Sequence, residues 1–142
     1  MPSPETLPVE TCWRMLAGAV VGRVGFDLGR GPRIHPLNYA LDGETVVVRT
    51  ARRSELARFT ELFAAGALVA FEVDHIDYDW HQGWSVLING YVSPVYRPDE
   101  LSRLKRFRSP RSWAGGERDL LVRISPVEVT GRRLGALIRV AG

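Results

Sequence analysis

The dipeptide Asp42-Gly43 narrows the folds open to this chain more than any other feature. It lies between Arg33–Leu41, where apolar and polar residues alternate, and the β-branched run Thr45–Thr50. Asp-Gly between two such runs is a hairpin signal, because a tight two-residue turn needs left-handed backbone that glycine adopts without strain. Val20–Phe26 reads as a strand ahead of this hairpin, joined to it through the turn residues Gly29-Arg30-Gly31-Pro32. Three consecutive antiparallel strands make a β-meander.

The rest of the chain adds to that sheet. Val9–Ala17 reads as a short opening helix that stops at Gly18. Ser54–Ala65 reads as a second helix, with Ser54 as N-cap, Gly66 as terminator, and Leu56, Phe59, Leu62 and Phe63 on one face. Leu68–Val73 is a short apolar strand, Asp74–Gln82 an acidic and aromatic loop, and Trp84–Tyr96 a long strand with Gly90 as a bulge. Pro98–Phe107 starts a third helix with proline at its N-terminus. Ser109–Gly116 reads as an irregular loop, and Leu121–Leu134 as one or two strands interrupted near Pro126. About six strands and three short helices predict a mainly β domain, a barrel rather than a parallel α/β sheet.

Composition excludes several classes. A chain of 142 residues fits one domain with a real core, residues 1–142. No apolar run approaches the roughly 18 residues that cross a membrane as a helix. The start, Met-Pro-Ser-Pro-Glu, lacks the basic opening of a signal peptide, so the expected location is cytoplasmic, with no membrane partner. Cys12 is the single cysteine and is expected to be a plain buried thiol. Net charge is +3, and Lys105 is the only lysine. The arginines suit phosphate or carboxylate, but they are scattered and no recognition motif appears, so nucleic acid is not expected. In Asp74–His81 the spacing of His75, His81 and the aspartates matches no familiar zinc or calcium loop, and a solvated loop is expected.

Chemistry gathers at Val46–Leu56, where a strand runs into a loop that opens a helix. The loop holds Arg49, Thr50, Arg52, Arg53 and Ser54. A helix N-terminus presents free N–H groups and the positive end of the helix dipole, so arginines and hydroxyls around it make a phosphate cradle. A solvated basic turn with an N-cap has the same residues, and both readings stay open at this point.

The order of short motifs resembles the actinobacterial branch of the pyridoxamine 5′-phosphate oxidase-like family. The pieces are Val21-Gly22-Arg23-Val24-Gly25-Phe26, Pro36-Leu37-Asn38-Tyr39, Val48-Arg49-Thr50-Ala51, Val69–Asp74, Gly83-Trp84-Ser85-Val86 and Thr130-Gly131-Arg132. The resemblance implies a split β-barrel of the FMN-binding type, a homodimer holding flavin mononucleotide (FMN) in clefts at its interface. It places Pro36, Leu37 and Asn38 along the isoalloxazine edge, and Arg49, Thr50, Arg53 and Ser54 toward the phosphate. Trp84 and Ser85 would approach the ring or ribityl chain, and Trp113 would cover the site. It also implies a flavin-dependent oxidoreductase acting on a small molecule, in which the cofactor carries the redox chemistry. Relatives that hold a deazaflavin or haem, and barrels that have lost their ligand, are the alternatives. A deazaflavin tail would want a basic groove such as Arg103, Lys105, Arg106, Arg108 and Arg111 offer.

The chain departs from its relatives at Glu55, where they commonly carry a lysine after the Ser/Thr of the loop. A dianionic phosphate about 5 Å from a carboxylate is repelled by roughly 1.7 kcal/mol at water's dielectric and roughly 6.6 kcal/mol at an effective dielectric of 20. Nearby arginines offset that repulsion, at roughly 1.5–3 kcal/mol per charge-assisted hydrogen bond. An acidic residue in the first turn also suits the helix dipole.

Overall fold

Apolar side chains recur at every second position along the strands, and this alternation separates an inner from an outer face. In Val21–Asp27, Gly22, Val24 and Phe26 are buried while Arg23 and Asp27 are exposed. In Leu68–Asp77, Val69, Phe71 and Val73 are buried while Leu68 is exposed. The computed structural model describes residues 4–63, 66–104 and 119–135. In chain order they form Glu5–Thr6 (β1), Val9–Ala17 (α1), Val21–Asp27 (β2), Pro32–Asp42 (β3), Thr45–Ala51 (β4), Glu55–Phe63 (α2), Leu68–Asp77 (β5), Gln82–Pro94 (β6), Pro98–Arg103 (α3) and Asp119–Leu134 (β7).

The strands pair antiparallel in the order β7-β4-β3-β2-β5-β6, and β6 pairs again with β7. The result is a closed six-strand barrel, with β1 as a two-residue addition to β7. β4 pairs with the first half of β3's partner register only from Tyr39 onward, so Pro32–Asn38 has β2 on one side alone. Helix α2 packs beside this split. Phe59 meets Phe26 at 5.4 Å between ring centroids, and Phe26 meets the ring of His35 edge-on at 5.3 Å. The chain is thus a mainly β split barrel with short helices.

Two glycines carry the curvature and closure. Gly90 sits at a register shift between β6 and β7, opposite Pro126, and a Cβ there would lie 2.5 Å from the Ser125 carbonyl oxygen. Pro126 has no N–H to give a ladder, so the bulge falls where the pairing loses least. β7 is therefore one bulged strand, not two strands broken at Pro126. At Gly131 a Cβ would lie 2.5 Å from the Cys12 sulfur, so α1 seats its buried thiol directly on β7. Burial pushes the Cys12 thiol up, as expected of an unreactive cysteine.

Outside the barrel, Val47, Val95, Leu104 and Leu121 form a second small apolar cluster beside α3. Asp42 clamps that helix: Arg103 donates to its two oxygens at 2.7 and 2.9 Å, and Arg123 donates at 2.8 Å. These guanidinium groups, Arg103 first, hold the Asp42 carboxyl well below the usual carboxylate range.

Two expectations need correction, and a third is only partly covered by the described residues. Asp74–Gln82 is not a loop, because β5 runs on to Asp77 and β6 begins at Gln82, leaving a tight hairpin at 78–81. Leu62 and Phe63 do not join the buried face of α2; Leu56, Ala57, Phe59 and Thr60 form it. Leu62 follows Leu56 by six residues, roughly 120° off that face, and is 64% exposed. Phe63 ends the helix and is 43% exposed. Of the expected third helix, Pro98–Arg103 is helical, and Lys105, Arg106, Phe107, Arg108 and the loop Ser109–Gly116 lie outside the described residues. Trp113 is among these.

Candidate functional site

Strand register arranges the outer face of β3, β2, β5, β6 and β7 in rows. One row runs Pro36, Arg23, Glu72, Leu87, Thr130. The next runs Ile34, Gly25, Ala70, Asn89, Glu128. On the other side of the first row stand Val21 with Asn38, and Asp74 with Ser85 and Arg132. Arg49 follows Val48, the partner of Tyr39, so it stands beside Asn38 on this face. The wall is unusually apolar for the outside of a barrel: Ile34 is 69% exposed, and Leu68, Leu87 and Tyr91 are exposed as well.

A groove of about 680 Å³ opens where this wall reaches the β5–β6 hairpin. Ile76, Tyr78, Trp84 and Leu134 supply apolar surface, and Glu72, Asp74, Ser85, Arg132 and Arg133 supply polar groups. Its size suits a drug-sized or cofactor-sized molecule. Glu72 and Asp74 share one guanidinium: Arg23 Nη1 donates to Glu72 Oε1 at 3.2 Å and to Asp74 Oδ2 at 3.0 Å. Burial, then the hydrogen bond and charge of Asp74, push the Glu72 carboxyl up to about 7, against the pull of Arg23. Near neutrality Glu72 therefore exchanges a proton readily. The side chains of Arg132 and Arg133 make no hydrogen bond or ion pair among the described residues.

The loop before α2 is built differently. Thr50 Oγ1 and Ser54 Oγ lie 2.6 Å apart, and Ser54 Oγ accepts the Ala57 N–H at 3.0 Å, the bond of an N-cap. Thr50 is buried and faces inward with Val46 and Val48, whereas Arg49 alternates to the outer face. Arg53 is exposed. Glu55 turns toward β3: its Oε2 lies 3.4 Å from Arg33 Nε, and its Oε1 3.4 Å from His35 Nε2.

The residues singled out from the sequence thus separate into two groups. Pro36, Asn38, Arg49 and Ser85 share the outer face. Leu37, Thr50, Ser54 and Trp84 lie toward the interior or the barrel end, and of these Trp84 also lines the groove. Sequence reasoning gave no role to Arg23, Glu72, Asp74 or Arg132. The signal was the alternation itself: with Val69, Phe71 and Val73 inside, Glu72 and Asp74 must stand together outside. Among the described residues, no three His, Cys, Asp or Glu side chains gather to hold a metal ion. No described helix is long and apolar enough to cross a membrane.

Known proteins share this architecture. The family model described as pyridoxamine 5′-phosphate oxidase matches residues 8–133. An uncharacterized protein of Mycobacterium tuberculosis, Rv0080, is 34% identical over 124 residues, covering 87% of this chain and 80% of its own length. Among solved structures, an FAD binding protein from Mycobacterium smegmatis superposes with a TM-score of 0.73 at 29% identity, covering 92% of this chain and 99% of its own. A conserved protein of unknown function from Corynebacterium diphtheriae gives a TM-score of 0.74 at 26% identity, over 92% and 98%. The motif order, the closed barrel with its α2-filled split and the match across residues 8–133 lead to one conclusion: this chain belongs to the pyridoxamine 5′-phosphate oxidase family.

Proposed function

We propose that the chain is a flavin-dependent oxidoreductase that works as a homodimer and holds its flavin against the outer wall. The observation that carries this reading is the groove of about 680 Å³ on that wall, lined by Trp84 and Ser85 and bordered by arginines without partners among the described residues. The donor set fits a flavin. Pro36, Asn38 and Ser85 offer an edge of backbone and side-chain hydrogen-bonding groups on one face, and Trp84 offers a flat apolar surface. Arg49, Arg53 and Arg33 stand around the α2 loop and suit a phosphate.

The structure also changes the weight of Glu55. Its carboxylate is partnered by Arg33, so the repulsion a phosphate feels there is offset by a guanidinium delivered from β3. Thr50 and Ser54 already spend their hydroxyls on each other and on the helix cap, and the arginines carry more of the anion binding.

A bound flavin supplies hydride-transfer chemistry. The residues of this chain bind and orient it and exclude water. The exposed apolar wall of Ile34, Leu68, Leu87 and Tyr91 around Gly25 and Ala70 suits a second copy meeting it through a two-fold axis. Such a dimer is the arrangement that lets one ligand touch both the loop arginines and the groove. FMN is the form we propose, and the similarity to an FAD binding protein makes FAD the form to test beside it.

Freshly purified protein is expected to show the absorbance of oxidised flavin, and stripped protein to take up FMN more tightly than riboflavin. Light scattering is expected to give a dimer at micromolar concentration. A spectrum of deazaflavin or haem, or no uptake of any flavin, overturns the cofactor assignment; a monomer overturns the assembly.

A further inference from the structure

A set of charges gathers where β3 turns into β4. Arg103 of α3 forks onto Asp42, donating from Nη1 to Oδ1 at 2.7 Å and from Nη2 to Oδ2 at 2.9 Å. Arg123 of β7 donates from Nη1 to Asp42 Oδ2 at 2.8 Å and to Thr45 Oγ1 at 2.6 Å. Its Nη2 lies 3.9 Å from Glu100 Oε1, so α3 is tied to Asp42 and Arg123 at two points. The side chains of Asp42 and Arg123 are only 14% and 15% exposed, and a carboxylate so placed needs its cations. A helix as short as Pro98–Arg103 has little stability of its own. Its place therefore depends on the clamp and on Leu101 and Leu104, which pack with Val47, Val95 and Leu121.

That small cluster lies on the strand face from which Arg49 projects. Along β4, Val46, Val48 and Thr50 are buried on the inner face, so Val47 and Arg49 share the outer one. Register sets Val47 opposite Arg123 and Arg49 opposite Leu121. Arg49 is thus the cross-strand neighbour of a residue on which α3 rests, and its Nε is buried. An arginine whose stem is packed in has its guanidinium aimed by that packing. We infer that Asp42 is a positioning residue for anion binding: by clamping α3 against Leu121 it fixes the direction in which Arg49 presents its guanidinium. The identity of the anion, the flavin phosphate, rests on the flavin reading; the effect on Arg49 does not. From Thr45, the partner of Asp42 in register, to Arg49 is roughly 13 Å of strand. What Asp42 contributes reaches a ligand only through α3 and Arg49.

Two variants of the full chain test this. Asp42→Asn keeps the shape of the side chain and removes its charge, and Arg103→Gln breaks the fork from its more exposed side. The first readout needs no ligand. A buried Nε–H exchanges slowly with solvent, so that of Arg49 should give a resolved proton–nitrogen NMR signal, assigned by its loss in Arg49→Lys. Asp42→Asn is expected to speed its exchange about tenfold and Arg103→Gln several-fold, while the backbone amides of Val24 and Phe71 keep their protection. An Arg49 signal absent from the parent protein, or unchanged in both variants, overturns the inference. Equal loss of protection at Val24 and Phe71 in both variants also overturns it, because Asp42 would then serve stability alone. The second readout is a double-mutant cycle on flavin affinity. Asp42→Asn is expected to weaken FMN about tenfold, the size of one hydrogen bond to a charged group, and riboflavin less than about twofold. In the Arg49→Ala background the same substitution should cost FMN nothing further. Additive losses overturn the inference and leave the flavin reading intact. Uptake of no flavin by any variant, the parent included, sinks the flavin reading alone, and the exchange measurement still decides the role of Asp42.

Discussion

At the α2 end of the barrel Thr50, Ser54 and Glu55 have each found a partner within the chain, whereas at the β5–β6 hairpin Arg132 and Arg133 border a wide groove with none among the described residues. Both regions looked polar in the sequence. The difference shows that a loop rich in arginine, threonine and serine can spend its polar groups on its own architecture. A hydroxyl that caps a helix while bonding its neighbour has little left for a ligand. The guanidinium groups at the groove, by contrast, remain open to a partner.

The comparison breaks first at the level of stability. Leu56→Ala, at the fully buried start of α2, is expected to cost about 2–5 kcal/mol, and Ile76→Ala in the groove less than about 0.5 kcal/mol. Urea unfolding of both variants checks this, and similar losses would mean that the groove is part of the core. Next comes the pair of serines. Ser54→Ala removes the cap and strands Thr50, for about 1–2 kcal/mol, while Ser85→Ala should fall within about 0.5 kcal/mol.

A smaller effect sharpens the assignment of the phosphate. Glu55→Lys exchanges a carboxylate for an ammonium beside the loop arginines, so FMN affinity is expected to rise about fivefold, or about 1 kcal/mol, with riboflavin unchanged. Equal changes for the two ligands would place the phosphate away from α2. A further effect is the pH dependence of stability. Glu72 keeps its proton in the folded barrel up to about 7, whereas in the unfolded chain it ionises near 4.5. The folded state thus binds more protons across that window, and stability from this group is lost as pH rises through it. Glu72→Gln should therefore gain on the parent protein between pH 5 and pH 8, and thermal melts at both ends of the range measure it.

Much of the fold was legible because local signals agreed with it. The Asp42-Gly43 signal marks the hairpin, whose turn is Gly43-Glu44 after Asp42 ends β3, Gly18 ends α1, and Gly90 marks the bulge. The hairpin at 78–81 was hidden because β5 and β6 extend past the apolar core, where Asp74, His75 and Gln82 are as polar as any loop. The outer face of α2 misled for a related reason: Leu62 is apolar, yet it stands on the side that the barrel does not cover. As for the site, alternation names which residues stand outside, but not which of them share a cation. The sharing of Arg23 by Glu72 and Asp74 joins positions from β2 and β5 that are distant in sequence, and register alone brings them together.

Closure of β6 onto β7 has a consequence for self-association. Each of the six barrel strands has a neighbour on both sides over part of its length, and β1 covers a further stretch of β7 with two residues. Where β3 has β2 on one side alone, over Pro32–Asn38, Pro32 and Pro36 have no N–H to extend a ladder, which blunts that edge as a template for fibre growth. The exposed Ile34, Leu68 and Tyr91 belong to the outer face, and a face that is used up by one encounter has nothing left to pass the pairing on.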